Sequence, residues 1–279
     1  MKGSFVAARS LKGSRYALRV DQGESEAAVA VSRTGNDGHS GYIHSYETGG
    51  TLDGPGIRFV TFLTGCHFRC QYCHNPDTWH LKNGRHVTVD EVMAEIEPYA
   101  EFLRDFHSGV TFSGGEALVQ DRFLGRLLRR CKERGLHTAV DTNGYLGDKV
   151  TPAMMADVDL WLLDIKSFDP DIHREVTGAE VGPVLDFARR LSDERRQMWV
   201  RFVLVPGLTD EVGNVDRLAE FVASLRKVER VEILPFHKMG EFKWAELGLE
   251  YKLTHTRPPD KKLLARVHRQ FADRGLNVV

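Results

Sequence analysis

The sequence predicts an α/β fold built on a parallel sheet, and three observations carry that prediction. Short apolar runs of strand character recur along the chain. Segments with apolar residues at helical spacing separate them. The connections are of helix length, as parallel crossovers require. The chain has 279 residues, 42% of them hydrophobic and 28% charged, ample for a large buried core. Lys+Arg 38 against Asp+Glu 39 leaves a net charge of -1, which argues against nucleic-acid binding through a general basic surface. No apolar run approaches the roughly 18–20 residues of a membrane span.

Residues 1–40 are rich in Ser, Gly and Ala, lack a sustained period, and are expected to form a disordered N-terminal extension. Their first half carries Lys2, Arg9, Lys12, Arg15 and Arg19 without an acid, and no apolar stretch of the secretory kind. A cytoplasmic location is expected, with organellar targeting by this segment as the alternative. The folded domain is expected over 41–279. Its first strand is the β-rich run 57–63, ended by Gly65. Thr88 and Glu91 read as a capping box whose helix should run to about Phe106. A strand at 110–112 closes on Gly114-Gly115. Phe123, Leu124, Leu127, Leu128 and Cys131 then mark the apolar face of a helix that stops at Gly135. Further strands are expected at 138–140, 160–163, 199–205 and 231–234, with a clear helix around 215–225. Right-handed crossovers turn six such strands into either a doubly wound sheet or a partial barrel, and periodicity does not choose between them. In both, ligand chemistry gathers where strands end.

Four cysteines do not make a disulfide scaffold in a chain of this length. Cys66, Cys70 and Cys73 fall within eight residues and Cys131 stands alone, a distribution that reads as a metal or cluster site in a reducing compartment. Cys131 lies on an apolar helix face and is expected to be a core residue. A structural zinc site wants four protein ligands, which His67, His74 or His80 would have to complete. Three cysteines on a [4Fe–4S] cube instead leave one iron open to a substrate or cofactor.

The Cys66-x3-Cys70-x2-Cys73 loop, with Tyr72 before its last cysteine, resembles the signature of the radical S-adenosylmethionine (SAM) superfamily. The block Gly50-Thr51-Leu52-Asp53-Gly54-Pro55-Gly56-Ile57-Arg58-Phe59 leading into it is similar to the glycyl-radical-enzyme activases, and among those to the branch that acts on pyruvate formate-lyase. The resemblance spans about 41–279. It implies a partial (β/α)6 TIM-type barrel, one [4Fe–4S] cluster on Cys66, Cys70 and Cys73, and SAM as cofactor. It further implies reductive cleavage of SAM to methionine and a 5′-deoxyadenosyl radical, which generates a glycyl radical in pyruvate formate-lyase. Reduced flavodoxin or a similar carrier would supply the electron.

The same resemblance assigns roles to the residues that follow the strands. Gly114, Gly115 and Glu116 would hold the SAM amino group, although a tight turn explains such a sequence equally well. Tyr72, His74, Asp141, Thr142, Asp164, Ile165 and Lys166 would line the SAM pocket, with Lys166 on the methionine carboxylate. Two carboxylates beside an anionic group repel it, so Asp141 and Asp164 with Thr142 are expected to hold a small cation. Arg201, a charge inside an apolar strand, should point inward to a partner. Arg201, His237 and Asp53 would face SAM and the target peptide.

Other readings differ in partner or class. Activases of diol dehydratases or arylacetate decarboxylases often carry an extra cysteine-rich insert, for which this chain lacks cysteines. Small-molecule radical SAM enzymes such as deazaguanine synthases lack the Thr51–Arg58 block, and a non-catalytic zinc module would bind zinc without sulfide.

Overall fold

Strands and helices alternate as the apolar pattern requires in the computed structural model, which describes residues 37–279. The expected extension, through residue 36, lies outside the described residues. The strands are β1 (Ser40–Gly50), β2 (Arg58–Leu63), β3 (Arg85–Thr88), β4 (Gly109–Gly114), β5 (His137–Thr142), β6 (Leu160–Asp164), β7 (Met198–Leu204) and β8 (Val228–Pro235). They form one sheet in the order β3-β1-β2-β4-β5-β6-β7-β8. The six expected strands are the parallel ones, β2 and β4 to β8. β1 and β3 add an antiparallel margin that the sequence reading left unassigned. The ends of the order, β3 and β8, do not pair among the described residues, so the sheet is an open partial barrel.

The helices are α1 (Val89–Ile96), α2 (Ala100–Asp105), α3 (Asp121–Glu133), α4 (Pro152–Asp157), α5 (Pro170–Thr177), α6 (Gly182–Asp193), α7 (Val212–Ser224), α8 (Glu241–Glu246) and α9 (Lys261–Ala272). The capping box at α1 is formed: the Glu91 amide donates to Thr88 Oγ1 at 3.2 Å, and the Thr88 amide donates to Glu91 Oε2 at 2.7 Å. The helix stops at Ile96, however, rather than near Phe106. Pro98 sits in a 3-10 turn over Glu97–Tyr99, where its missing N–H breaks the helical ladder before α2 resumes.

Period-two alternation sorts the strand residues onto two faces. Trp161 points outward from β6 and meets Phe187 of α6 edge-on, 5.2 Å between centroids. Its neighbours Leu160 and Leu162 point inward with Ala139 and Trp199, forming a small apolar plug inside the barrel. Outside, the five predicted positions of α3 are all buried against the sheet, and Cys131 Sγ lies 4.0 Å from Met93 Sδ in that layer. Cys131 is thus a core residue, as expected. β8 is covered by the chain's end: its Val231 amide donates to Asn277 O at 2.8 Å, and the Val279 amide donates to Val231 O at 2.9 Å. Covering an open edge this way removes a template for aggregation. No helix among the described residues is long and apolar enough to cross a membrane.

Leu128→Ala should cost about 2–5 kcal/mol of stability in denaturant unfolding, by loss of buried area and a residual cavity. Cys131→Ala should cost less, and iron and sulfide analysis should find the same metal content as in the parent protein.

Candidate active site

Strand register gathers the charged residues on the inner face. Asp164 pairs with Arg201, and Arg201 with Glu232, so one row crosses β6, β7 and β8. Asp141 of β5 sits opposite Leu162, two residues before Asp164, and shares that face. Arg201 is buried at the centre of the row. Its Nε donates to Glu232 Oε2 at 2.9 Å, Nη1 lies 3.3 Å from Asp141 Oδ1, and Nη2 donates to the Leu52 carbonyl. Burial works against its charge, but Asp141 and Glu232 outweigh burial and keep the guanidinium firmly protonated. The inward, paired arginine inferred from an apolar strand is therefore present.

Lys166 lies just past β6, its Nζ 2.8 Å from Asp164 Oδ2 and 5.8 Å from the Tyr72 ring centre. Burial alone would lower its pKa; Asp164 and then Tyr72 raise it well above the ordinary value. Ile165 between them is fully buried. Asp141 also accepts from Ser113 Oγ at 2.7 Å, and burial still raises its pKa against the pull of Arg201. Each carboxylate of the expected cation site thus has a cationic neighbour, and the Thr142 hydroxyl is directed to Glu116 instead.

The cysteines occupy the loop after β2. Backbone hydrogen bonds fix it on two sides, from Cys66 N to Trp79 O at 3.0 Å and from Gln71 N to Val176 O at 3.0 Å. A third tie runs from Trp244 Nε1 of α8 to the Cys73 carbonyl at 2.8 Å. All three thiols are free and partly buried. Burial pushes Cys70 up to about 12 and raises Cys66 and Cys73 as well, with the neighbouring cysteines adding to the effect on Cys66 and Cys70. As thiolates they need a positive centre, which bound iron supplies. Two buried polar atoms nearby, Tyr72 Oη and Asp141 Oδ1, make no hydrogen bond among the described residues. Three thiols without a fourth on the loop, beside the unpartnered Tyr72 hydroxyl and a buried lysine, fit a three-cysteine [4Fe–4S] cluster with an amino-acid cofactor beside it. His67 packs near Tyr145 and His74 near His237. Among the described residues no three His, Cys, Asp or Glu side chains converge as a single metal ion would require.

Gly114, Gly115 and Glu116 have a structural task that the sequence reading held only as an alternative. A Cβ at Gly114 (φ +125°) would stand 2.0 Å from Leu63 O, and one at Gly115 would stand 2.5 Å from Gly65 O. The two glycines let the end of β4 lie against the backbone entering the cysteine loop. Glu116 is buried, with Oε1 accepting from Leu118 N at 2.9 Å and Thr142 Oγ1 at 2.7 Å, and Oε2 accepting from Asn143 N at 2.8 Å. It braces β4 to β5, and of about four acceptor positions on a carboxylate, one remains for an ammonium group.

The remaining predicted residues lie at the margins. His237 follows β8, exposed, its ring 4.3 Å from that of His74, whose Nε2 is 3.1 Å from the His237 carbonyl. Asp53 lies in the turn between β1 and β2. Burial raises its pKa and Arg201 acts against that. Sequence reasoning missed Glu232, Ser113 and Asn143. Asn143, whose Nδ2 is 4.0 Å from Cys66 Sγ, directly follows the singled-out Asp141-Thr142 pair, and Ser113 directly precedes the two glycines. Glu232 gave no signal.

The family model of the radical SAM superfamily matches residues 60–219. The pyruvate formate-lyase 1-activating enzyme of Escherichia coli K12 is 43% identical over 229 residues, covering 81% of this chain and 93% of that protein. The pyruvate formate-lyase-activating enzyme of Staphylococcus epidermidis is 45% identical over 238 residues, covering 82% and 94%. Among solved structures, a domain of a pyruvate-formate lyase-activating enzyme from Bacteroides vulgatus aligns with a TM-score of 0.52 at 29% identity, covering 61% of this chain and 97% of that one. Streptococcus suis SuiB, at 14% identity, aligns with a TM-score of 0.59 over 78% of this chain and 46% of that one, a likeness of fold.

Burial lifts Glu116 from 4.5 to about 7, against its three hydrogen-bond donors. The folded protein then holds a proton that the unfolded chain has released, so this contribution is full below 4.5 and is lost as pH rises through about 7. Glu116→Gln cannot ionise. Denaturant unfolding of the metal-free protein across this range should show a shallower decline with pH for the variant; parallel profiles would contradict the assignment.

Proposed function

Since the chain belongs to the radical SAM superfamily, and within it to the pyruvate formate-lyase activating enzymes, we propose that it activates pyruvate formate-lyase by generating a backbone glycyl radical. The observation that carries the reading is three free, partly buried thiols on one short loop after β2, with a buried lysine, Lys166, close to Tyr72 of that loop. When bound, the [4Fe–4S] cluster and SAM supply one-electron cleavage of SAM to methionine and a 5′-deoxyadenosyl radical able to take hydrogen from a glycine.

The protein's own residues bind, orient and exclude water. Cys66, Cys70 and Cys73 would hold the cluster by three thiolates with no fourth from the loop, which would leave SAM free to act as its further ligand. Glu116 keeps its remaining acceptor position for the ammonium, and Gly114 and Gly115 bring backbone close to it. Lys166 leaves Asp164 to meet the methionine carboxylate. A small cation held by Asp141 and Asp164 would offset the charge that Asp164 then carries without its partner. Tyr72, His74, Ile165 and His237 wall the pocket, and Asp53 and Arg201 face the entering peptide. An open barrel margin suits a reaction whose substrate is a loop of another protein. A low-potential carrier such as reduced flavodoxin, in the cytoplasm, completes the scheme. The small number of cysteines favours this partner over enzymes whose activases carry a second cluster.

Reconstituted protein, given SAM, a reductant and pyruvate formate-lyase under anaerobic conditions, should produce a glycyl doublet in the electron paramagnetic resonance spectrum together with 5′-deoxyadenosine. Cys70→Ala should abolish both. Deoxyadenosine without a doublet points to another glycyl radical enzyme, and neither product from cluster-loaded protein contradicts the activase reading.

A further inference from the structure

The block that leads into the cysteine loop contains Arg58, which the scheme above leaves without a task. Its side chain is 0% exposed. It has no carboxylate in ion-pair contact among the described residues. Instead the guanidinium donates to four neutral oxygens: Nε to Thr111 Oγ1 at 3.0 Å, Nη1 to Pro55 O at 3.3 Å, and Nη2 to Val110 O at 2.7 Å and His137 O at 3.3 Å. Burial pushes its pKa down to about 10. An apolar side chain would fill this space without the cost of desolvating a charge, so the charge needs a use.

That use is visible in what Arg58 holds. Thr111 Oγ1, which accepts from Arg58 Nε, has one proton to give and donates it to the Asp53 carbonyl at 2.6 Å. Arg58 also holds the Pro55 carbonyl, and Arg201 the Leu52 carbonyl. Three carbonyls of one four-residue turn are therefore pinned by buried donors. The glycines around the turn fit the arrangement. A Cβ at Gly109 would come within 2.5 Å of Arg58 Nη1, and Gly54, at φ +129°, would place one 3.2 Å from Nε. With its backbone fixed, the turn presents Leu52, 80% exposed, to the outside, and carries Asp53 at the inner side.

We propose that Arg58 and Thr111 are positioning residues for the protein substrate, fixing the Leu52–Pro55 turn so that Asp53 meets the backbone of the entering glycine loop while Leu52 contacts the partner's surface. The role rests on the activase reading. It separates binding of the partner from cleavage of SAM, because the hydrogen bonds of Arg58 and Thr111 go to the turn and the strand backbone and none goes to the cysteines or Lys166 among the described residues.

Thr111→Val keeps shape and removes only the bridging hydroxyl, Thr111→Ser restores it, and Arg58→Met removes the source. On reconstituted protein, Thr111→Val should raise the KM for pyruvate formate-lyase about fivefold to tenfold, the scale of one lost hydrogen bond with its carbonyl left unmet. Deoxyadenosine formation with dithionite and no partner should stay within twofold of the parent. Thr111→Ser should return the KM to within twofold. Hydrogen exchange should quicken in a peptide covering 50–57 and not in one covering 66–75. An unchanged KM with unchanged exchange overturns the positioning role, as does an equal fall in partner-free SAM cleavage. If Arg58→Met fails to fold, the two Thr111 variants still decide. The parent protein run in parallel tests the activase reading separately, since absence of its glycyl signal indicts that reading and not the ratio between variants.

Discussion

Keeping charge stable away from water is the constraint on which the rest of this structure depends. Asp53, Asp141, Asp164, Glu116 and Glu232 lie on or beside the inner face of the sheet, with Arg201, Lys166 and Arg58 among them. Such groups are tolerated only when each meets an opposite charge or a set of donors. Arg201 shows the solution in its densest form, touching carboxylates from β5 and β8 and a carbonyl from the turn before β2. The thiols obey the same rule in mirror image. Burial raises all three thiols above the ordinary cysteine range, so as thiolates they need a cationic centre beside them.

The open barrel follows from the same economy of surface. Helices cover the outer face, leaving the inner face for a small apolar plug at one level and polar chemistry above it. The plug of Ala139, Leu160, Leu162 and Trp199 fills the lower interior, so polar residues two positions further along each strand line a space that a cofactor can enter. The sheet order ends in β3 and β8 without closure among the described residues. The β1–β2 turn is held by two arginines, Arg58 and Arg201.

Much of this was legible in the residues. The parallel strands announced themselves as apolar runs because both of their faces are covered. β1 did not: Ser45, Glu47, Gly49 and Gly50 dilute its pattern, and it needs only one buried side. β3, with Arg85 and His86, is too short and polar to signal at all. Pro98 was visible, yet the apolar spacing continued beyond it and masked the break. In the site, Arg201 was readable from the cost of a charge among Val200, Phe202 and Val203. Glu232 was not, because Val231-Glu232-Ile233 reads as an ordinary half-exposed strand until the register sets it opposite Arg201. The bracing role of Glu116 was hidden for a related reason. Its partners Thr142 and Asn143 belong to the next strand end, and only the fold brings them together.

Three cysteines would leave one iron of a [4Fe–4S] cluster open for SAM. Mössbauer spectroscopy of protein reconstituted with 57Fe, before and after addition of SAM, tests it most directly. The expected result is a [4Fe–4S] signal in which one iron of the four becomes distinct when SAM binds, with Lys166→Met requiring more SAM for the same change. Four irons that remain unaltered at saturating SAM, or a protein that takes up zinc in place of iron and sulfide, would contradict it.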